Sequence, residues 1–295
     1  MNNYDDLLSN APAEEQSPRL SKEEYTAKKQ AEREAIFETS DTTALEVAGD
    51  GGRFREYLDI QAQFSRYSAV NALLIMAQKP EATQIGDFDH WKSKGGSVKA
   101  QQTGFYIIEP HKYIKEDGTP GTGYNLKKVF DISQADMRKV KTSPAPNYDY
   151  RQLLRALVHK APVKITGVDS IPGGLGAITV PETGEIQILK GMEFADTFRC
   201  VAQELALADL STCPDTQANP IFSAHCASYI LCKKYGSDTQ GFDFTDAPGV
   251  FRGMDAKGVK GELSQIRDAA NDISGRMERQ LGEVQKAARA RDEAR

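Results

Sequence analysis

The sequence predicts an α+β protein of two consecutive domains with a charged helical tail. Three observations carry this expectation. Residues 41–142 pass from a buried-type helix into strand-type runs, 148–250 pass from a strand-turn-strand pattern into two apolar helices, and 251–295 are charged and helical throughout. The chain has 295 residues, 39% apolar and 27% charged, enough for two ordinary cores. No apolar run approaches the roughly 20 residues that cross a bilayer, which argues against a helical membrane protein. The polar, acidic start lacks the apolar stretch of a secretion signal, so a cytoplasmic location is expected.

In order along the chain, residues 1–40 read as a disordered and helical extension, with disorder over 1–20, where two prolines stand among few apolar side chains. Ser21-Lys22-Glu23-Glu24 has the form of a capping box ahead of a charged helix to about Phe37. A second helix is expected from about Thr43 to Phe64, broken near Gly51-Gly52. Val70, Leu73, Leu74 and Ala77 recur at the helical period within a third, Ser68 to Gln78, which Pro80 ends. A short helix over 86–94 carries the one tryptophan, Trp91. Strands follow at Phe105–Ile108 and Lys128–Ile132, joined by a turn-rich Glu116–Gly123. After a linker at 142–147 come a helix over 149–160, a hairpin with strands near 176–180 and 185–189, and helices over 196–210 and 221–235. The tail, 258–295, reads as a solvated helix without sustained heptads.

Net charge is −5, unevenly spread. Residues 65–142 carry 12 basic and 8 acidic side chains, against 7 and 14 in 1–64 and 8 and 12 in 143–250. This one basic block permits polyanion binding. Four cysteines, Cys200, Cys213, Cys226 and Cys232, form no CxxC pair and read as buried free thiols.

The stretch Gln203-Glu204-Leu205-Ala206-Leu207 has the form of the zinc peptidase motif His-Glu-x-x-His with both histidines replaced. In the intact motif the histidines at i and i+4 hold Zn²⁺ and the glutamate activates its water. Glu204 alone remains. Cys200 and Cys226 are conceivable recruits, but Cys226 points away from His225 by the angle between helical neighbours. The glycines at 173, 174 and 176 match no phosphate-binding pattern.

Two sets of residues resemble the ArdC family of antirestriction proteins. The first is Tyr67–Ile75, Gln78–Thr83, Trp91, Gly95–Lys99, Thr103-Gly104 and Val129–Gln134. The second is Gly173-Gly174, the hairpin, Asp196–Leu207 and Ala224–Cys232. The resemblance implies a single-stranded DNA-binding domain at 41–142 and a zincin-like domain at 148–250 that is degenerate here. Gln203 and Leu207 stand at the positions of the family's two histidines, Glu204 at its glutamate, and His225 at its downstream glutamate. These departures lead to the expectation of no metal, no cofactor and no catalytic residue, while the resemblance implies a mobile-element setting in which the protein shields incoming DNA from restriction.

Binding of single strands combines cations along the phosphates with aromatic faces that stack on bases. Arg66, Tyr67, Asn71, Trp91, Lys92, Lys94, Lys99, Tyr106, Tyr124, Lys127 and Lys128 are the candidates. Trp91 is equally a core residue, Tyr67 a staple for the following helix, and Asn71 equally a site residue or a structural hydrogen-bond hub. Two rivals stay open. One is a metallopeptidase with unusual ligands, and the other an adaptor that takes a protein partner through the degenerate cleft or the C-terminal helix.

Overall fold

The computed structural model describes residues 21–137, 148–212 and 219–293, with side chains to residue 284. The disorder expected over 1–20, the linker at 142–147 and Cys213 lie outside the described residues. The chain divides into two compact units, Met1–Phe37 and Glu38–Arg295.

In the first unit the capping box forms as read. Glu24 Oε2 accepts from Ser21 N at 2.8 Å, and Ser21 Oγ accepts from Glu24 N at 3.2 Å. The helix it opens, α1 (Lys22–Gly49), does not pause between 37 and 43 as expected. The run Thr39-Ser40-Asp41-Thr42-Thr43 is poor in helix formers, but Ser40 and Thr43 are buried and Thr43 Oγ1 donates back to the Thr39 carbonyl at 2.7 Å. Packing overrides propensity there.

In the second unit, Asp50 caps α2 (Gly51–Gln63) by accepting from Arg53 N at 2.7 Å. Gly51 is required because a Cβ would stand 2.5 Å from the Phe244 carbonyl oxygen. Ser68 caps α3 (Ala69–Gln78). Next come β1 (Ile85–Gly86), α4 (Phe88–Ser93), β2 (Ser97–Val98), β3 (Phe105–Ile114), β4 (Pro120–Asp131) and β5 (Ala135–Asp136). One antiparallel sheet has the order β1-β4-β3, and β2 pairs with β5. The turn expected over 116–123 is shorter, because the β3–β4 ladder runs out to Ile114 opposite Pro120.

The later elements are α5 (Tyr150–Val158), β6 (Ile165–Val168), β7 (Ala177–Thr179), β8 (Ile186–Leu189), α6 (Phe194–Leu210), α7 (Pro220–Tyr235), α8 (Ala247–Val250) and α9 (Ala256–Glu293). The hairpin β7–β8 is where the sequence places it. Strand β6, absent from the sequence reading, pairs parallel to β8. The mixture of helix packing and short sheets is α+β.

The tail corrects the sequence reading most. Val259, Leu263, Ile266, Ala270, Ile273, Met277 and Leu281 of α9 are buried. Their 4-3-4-3-4-4 spacing is a sustained apolar stripe, disguised by alanine and methionine and by the charges between them. The stripe packs against α3, α5, α6 and α7. Buried residues from Ala44 to Leu281 form one core cluster, and Trp91, Phe130 and Ala135 form a second, small one.

Candidate functional site

Strand β3 lies at the edge of its sheet, so half of its backbone groups face away from β4. Two amides of α3, seven residues apart and therefore on one helix face, satisfy the inner end of that edge. Asn71 Nδ2 donates to the Ile108 carbonyl at 2.8 Å, and its Oδ1 accepts from Ile108 N at 2.7 Å. Gln78 does the same for Tyr106, at 2.8 and 3.0 Å. Both side chains imitate a neighbouring strand. Of the two roles open for Asn71, this geometry is the structural hub: the residue is 6% exposed and both ends of its amide are committed.

Trp91 is 1% exposed and lies with Phe130 and Ala135, its Nε1 donating to the Phe130 carbonyl at 3.2 Å. No face of the indole is open to a base, so stacking at Trp91 is corrected to core packing. Tyr67 is half-buried, edge-on to Phe64 with ring centroids 5.8 Å apart, and burial pushes its phenol up. It packs against the core beside Phe64, just ahead of α3.

The cations differ in availability. Lys127 Nζ bridges Asp87 and Glu109, each at 3.0 Å, and these bonds raise its pKa. It is therefore already neutralised by protein carboxylates. Lys128 lies over the Tyr106 ring at 5.4 Å, a cation-π pair between cross-strand partners. Lys92, Lys94 and Lys99 are exposed, and Lys99 Nζ donates to the Ser133 carbonyl at 2.8 Å. The structure thus brings Tyr106 together with Lys128 and separates Trp91 from any surface. The outer hairpin exposes Tyr124, a sequence candidate, and beyond the residues predicted from sequence it exposes His111 and Tyr113, with Lys112 and Lys115. The signal for it is the strand-type run Tyr113-Ile114, obscured by the glycines at 121 and 123.

The second candidate site lies between α6 and α7. Gln203 Oε1 is 3.1 Å from His225 Nδ1, joining the two helices. His225 packs on Phe242 and Phe244, with centroids 4.7 and 5.6 Å away. Burial, then the Arg199 charge, lowers its pKa, so the imidazole is neutral at pH 7. Glu204 Oε2 accepts from Thr179 Oγ1 at 2.6 Å, tying α6 to β7. Leu207 packs against the core. Cys226 is fully buried, and burial pushes its thiol well up. Cys200 Sγ lies against Gly176, and burial raises that thiol too.

A catalytic zinc site takes three protein ligands and leaves one position open. Of the positions that would supply them, 207 holds a hydrocarbon and the Gln203 carbonyl oxygen already has a partner in His225. The residues present do not fit the ion. Among the described residues, no group of three His, Cys, Asp or Glu side chains is placed to hold a metal.

Residues 46–143 match the family model of the N-terminal domain of the anti-restriction factor ArdC. An uncharacterized protein of Bacillus anthracis is 24% identical over 286 residues, covering 78% of this chain and 49% of the relative. The chain thus spans about half the length of the curated relative it matches. Two crystal structures of the antirestriction protein ArdC from plasmid R388 are similar at 14% identity and TM-score 0.47. The metal-free form covers 72% of this chain and 86% of its own, and the Mn(II)-bound form 73% and 85%. No helix among the described residues is long and apolar enough to cross a membrane.

Proposed function

We propose, from the premise that residues 46–143 are an ArdC-type N-terminal domain, that this chain binds single-stranded DNA and catalyses no reaction. The match over 46–143 is the observation that carries the reading. The basic excess of 65–142 supports it, as do the cations Arg66, Lys92, Lys94, Lys99 and Lys128. Cations spaced along a surface bind the phosphate chain without reading sequence. In this reading the protein acts in the cytoplasm of a cell receiving a mobile element, covers the incoming strand and keeps restriction enzymes from it.

The α6–α7 region is, in the same reading, a zincin-like remnant held together by hydrogen bonds. Gln203–His225 links the two helices that a metal would otherwise join, and Glu204–Thr179 ties α6 to the neighbouring strand β7. Fluorescence anisotropy of the full chain against a labelled single strand and its duplex tests the binding. Equal affinity for the two, or none for either, removes the reading. Elemental analysis tests the remnant, and one tightly held zinc per chain would restore a peptidase with unusual ligands.

A further inference from the structure

We infer that the outer arm of the β3–β4 hairpin is the base-stacking surface of this chain, with His111 and Tyr113 as the platform for single-stranded DNA. The inference rests on the single-strand reading above and adds where the bases are held.

Glycine in a strand gives up side-chain packing and backbone entropy, and it commonly marks a place where another group lies close. Here Gly121 stands opposite Tyr113 and Gly123 opposite His111. A Cβ at Gly121 would lie 2.6 to 3.0 Å from three atoms of the Tyr113 ring, and one at Gly123 would lie 2.5 Å from His111 Cε1 and 2.6 Å from Nε2. Each ring therefore rests across the partner strand on bare backbone. The rings sit two residues apart on one face of the ribbon, with centroids separated by 6.1 Å and planes at 41°. Tyr113 keeps 46% of its surface open. Two supported rings in sequence on an edge strand offer what stacking on successive bases needs, and every base has a face to offer. A duplex keeps its bases stacked internally and has none.

The arm carries charges of both signs. Glu109 is held by Lys127 at 3.0 Å, and Asp117 accepts from Thr119 N at 2.9 Å and from its hydroxyl at 2.6 Å. Among the described residues, Lys112 and Lys115 are in no ion pair, and Glu116 is the remaining carboxylate of the arm. Hydrogen bonds from an uncharged threonine leave Asp117 ionised, so the arm is close to neutral, with Lys112 on the face opposite the rings; what it offers a single strand is the pair of supported rings rather than net charge.

The test is anisotropy of the full chain with a labelled oligothymidylate. Tyr113→Ala and His111→Ala should each weaken binding about tenfold, while Tyr113→Phe keeps it. Gly121→Val, which lifts the ring from its seat, should reproduce the Tyr113→Ala loss. Replacing Lys112 and Lys115 by alanine should lower the salt slope by about 0.7 for each phosphate that is no longer neutralised. Wild-type binding that is undiminished in the His111→Ala, Tyr113→Ala double variant overturns this inference and leaves the single-strand reading standing. Absence of binding by the wild type overturns both.

Discussion

Asn71 shows what one side chain can decide. Its amide closes a two-bond ring on Ile108, 37 residues away, and both backbone groups are otherwise buried at a sheet edge. Removing the amide orphans an N–H and a carbonyl, each worth roughly 1–3 kcal/mol when left without a partner. Asn71→Ala should therefore destabilise the protein by about 3 kcal/mol in urea unfolding, and Asn71→Asp, which cannot donate when ionised, by a similar amount. In the sequence a polar residue inside an apolar helix is visible, but its partner is not, because nothing local points to Ile108. Trp91 is undecidable there for the same reason, since its fate rests on Phe130 and Ala135. Glu204 is the opposite case: its lone survival in the motif is legible, and only its bond to Thr179 needs the fold. Glu204→Gln should leave every measured activity unchanged, since a general base without a metal-bound water has nothing to deprotonate. The double substitution Gln203→His, Leu207→His supplies two ligands beside His225. Zinc uptake by that variant, measured by elemental analysis, would show that the helix spacing still suits the ion.

At the scale of elements, the β3–β4 hairpin outruns its sequence signal because Pro120, Gly121 and Gly123 are turn residues by composition. The ladder extends through them since aromatic rings cover the glycines. Strand β6 leaves little trace in the sequence because its partner β8 is parallel and distant, and Gly167 breaks its apolar run. The turn that closes β4 is held by Asp131, whose carboxylate accepts from Thr83 N at 2.7 Å, Gln84 N at 3.1 Å and Ser133 N at 2.9 Å. Burial pulls this carboxyl upward, but the bonds from Ser133, Thr83 and Gln84 outweigh it and hold the pKa below its usual 3.8. A group depressed in the folded state stabilises fully above its unfolded pKa, and that contribution disappears as pH falls through the folded value. Stability should accordingly drop below about pH 4, and Asp131→Asn, less stable at neutral pH, should flatten that acid limb in melts recorded between neutral and strongly acidic buffer.

For the whole molecule, α9 decides the architecture. Its stripe from Val259 to Leu281 enters the core, Asn271 Nδ2 donates to the Ser65 carbonyl at 2.9 Å, and Arg267 Nη1 donates to the Tyr67 carbonyl at 3.4 Å. The loop that leads into α3 thus depends on a helix roughly two hundred residues later. Deleting residues from 256 onward should abolish cooperative unfolding in circular dichroism, an outcome that a solvated tail would not produce. Chelators should leave the melting temperature unchanged, because a chain without bound metal has no metal binding energy linked to folding. The alternation of charge and alanine in α9 hides its stripe in the sequence, whereas the Val70, Leu73, Leu74 and Ala77 spacing reveals α3 as a helix but misplaces its face, since Leu73 and Leu74 are buried while Val70 is partly open and Ala77 exposed. The central claim, that the full chain binds single-stranded DNA through phosphate contacts and stacking, is tested most directly by titrating it with a single strand and its duplex over a series of salt concentrations. The expected result is preference for the single strand and a logarithmic salt slope of about −0.7 for each phosphate contacted. Affinity independent of salt, or equal for duplex and single strand, would contradict it.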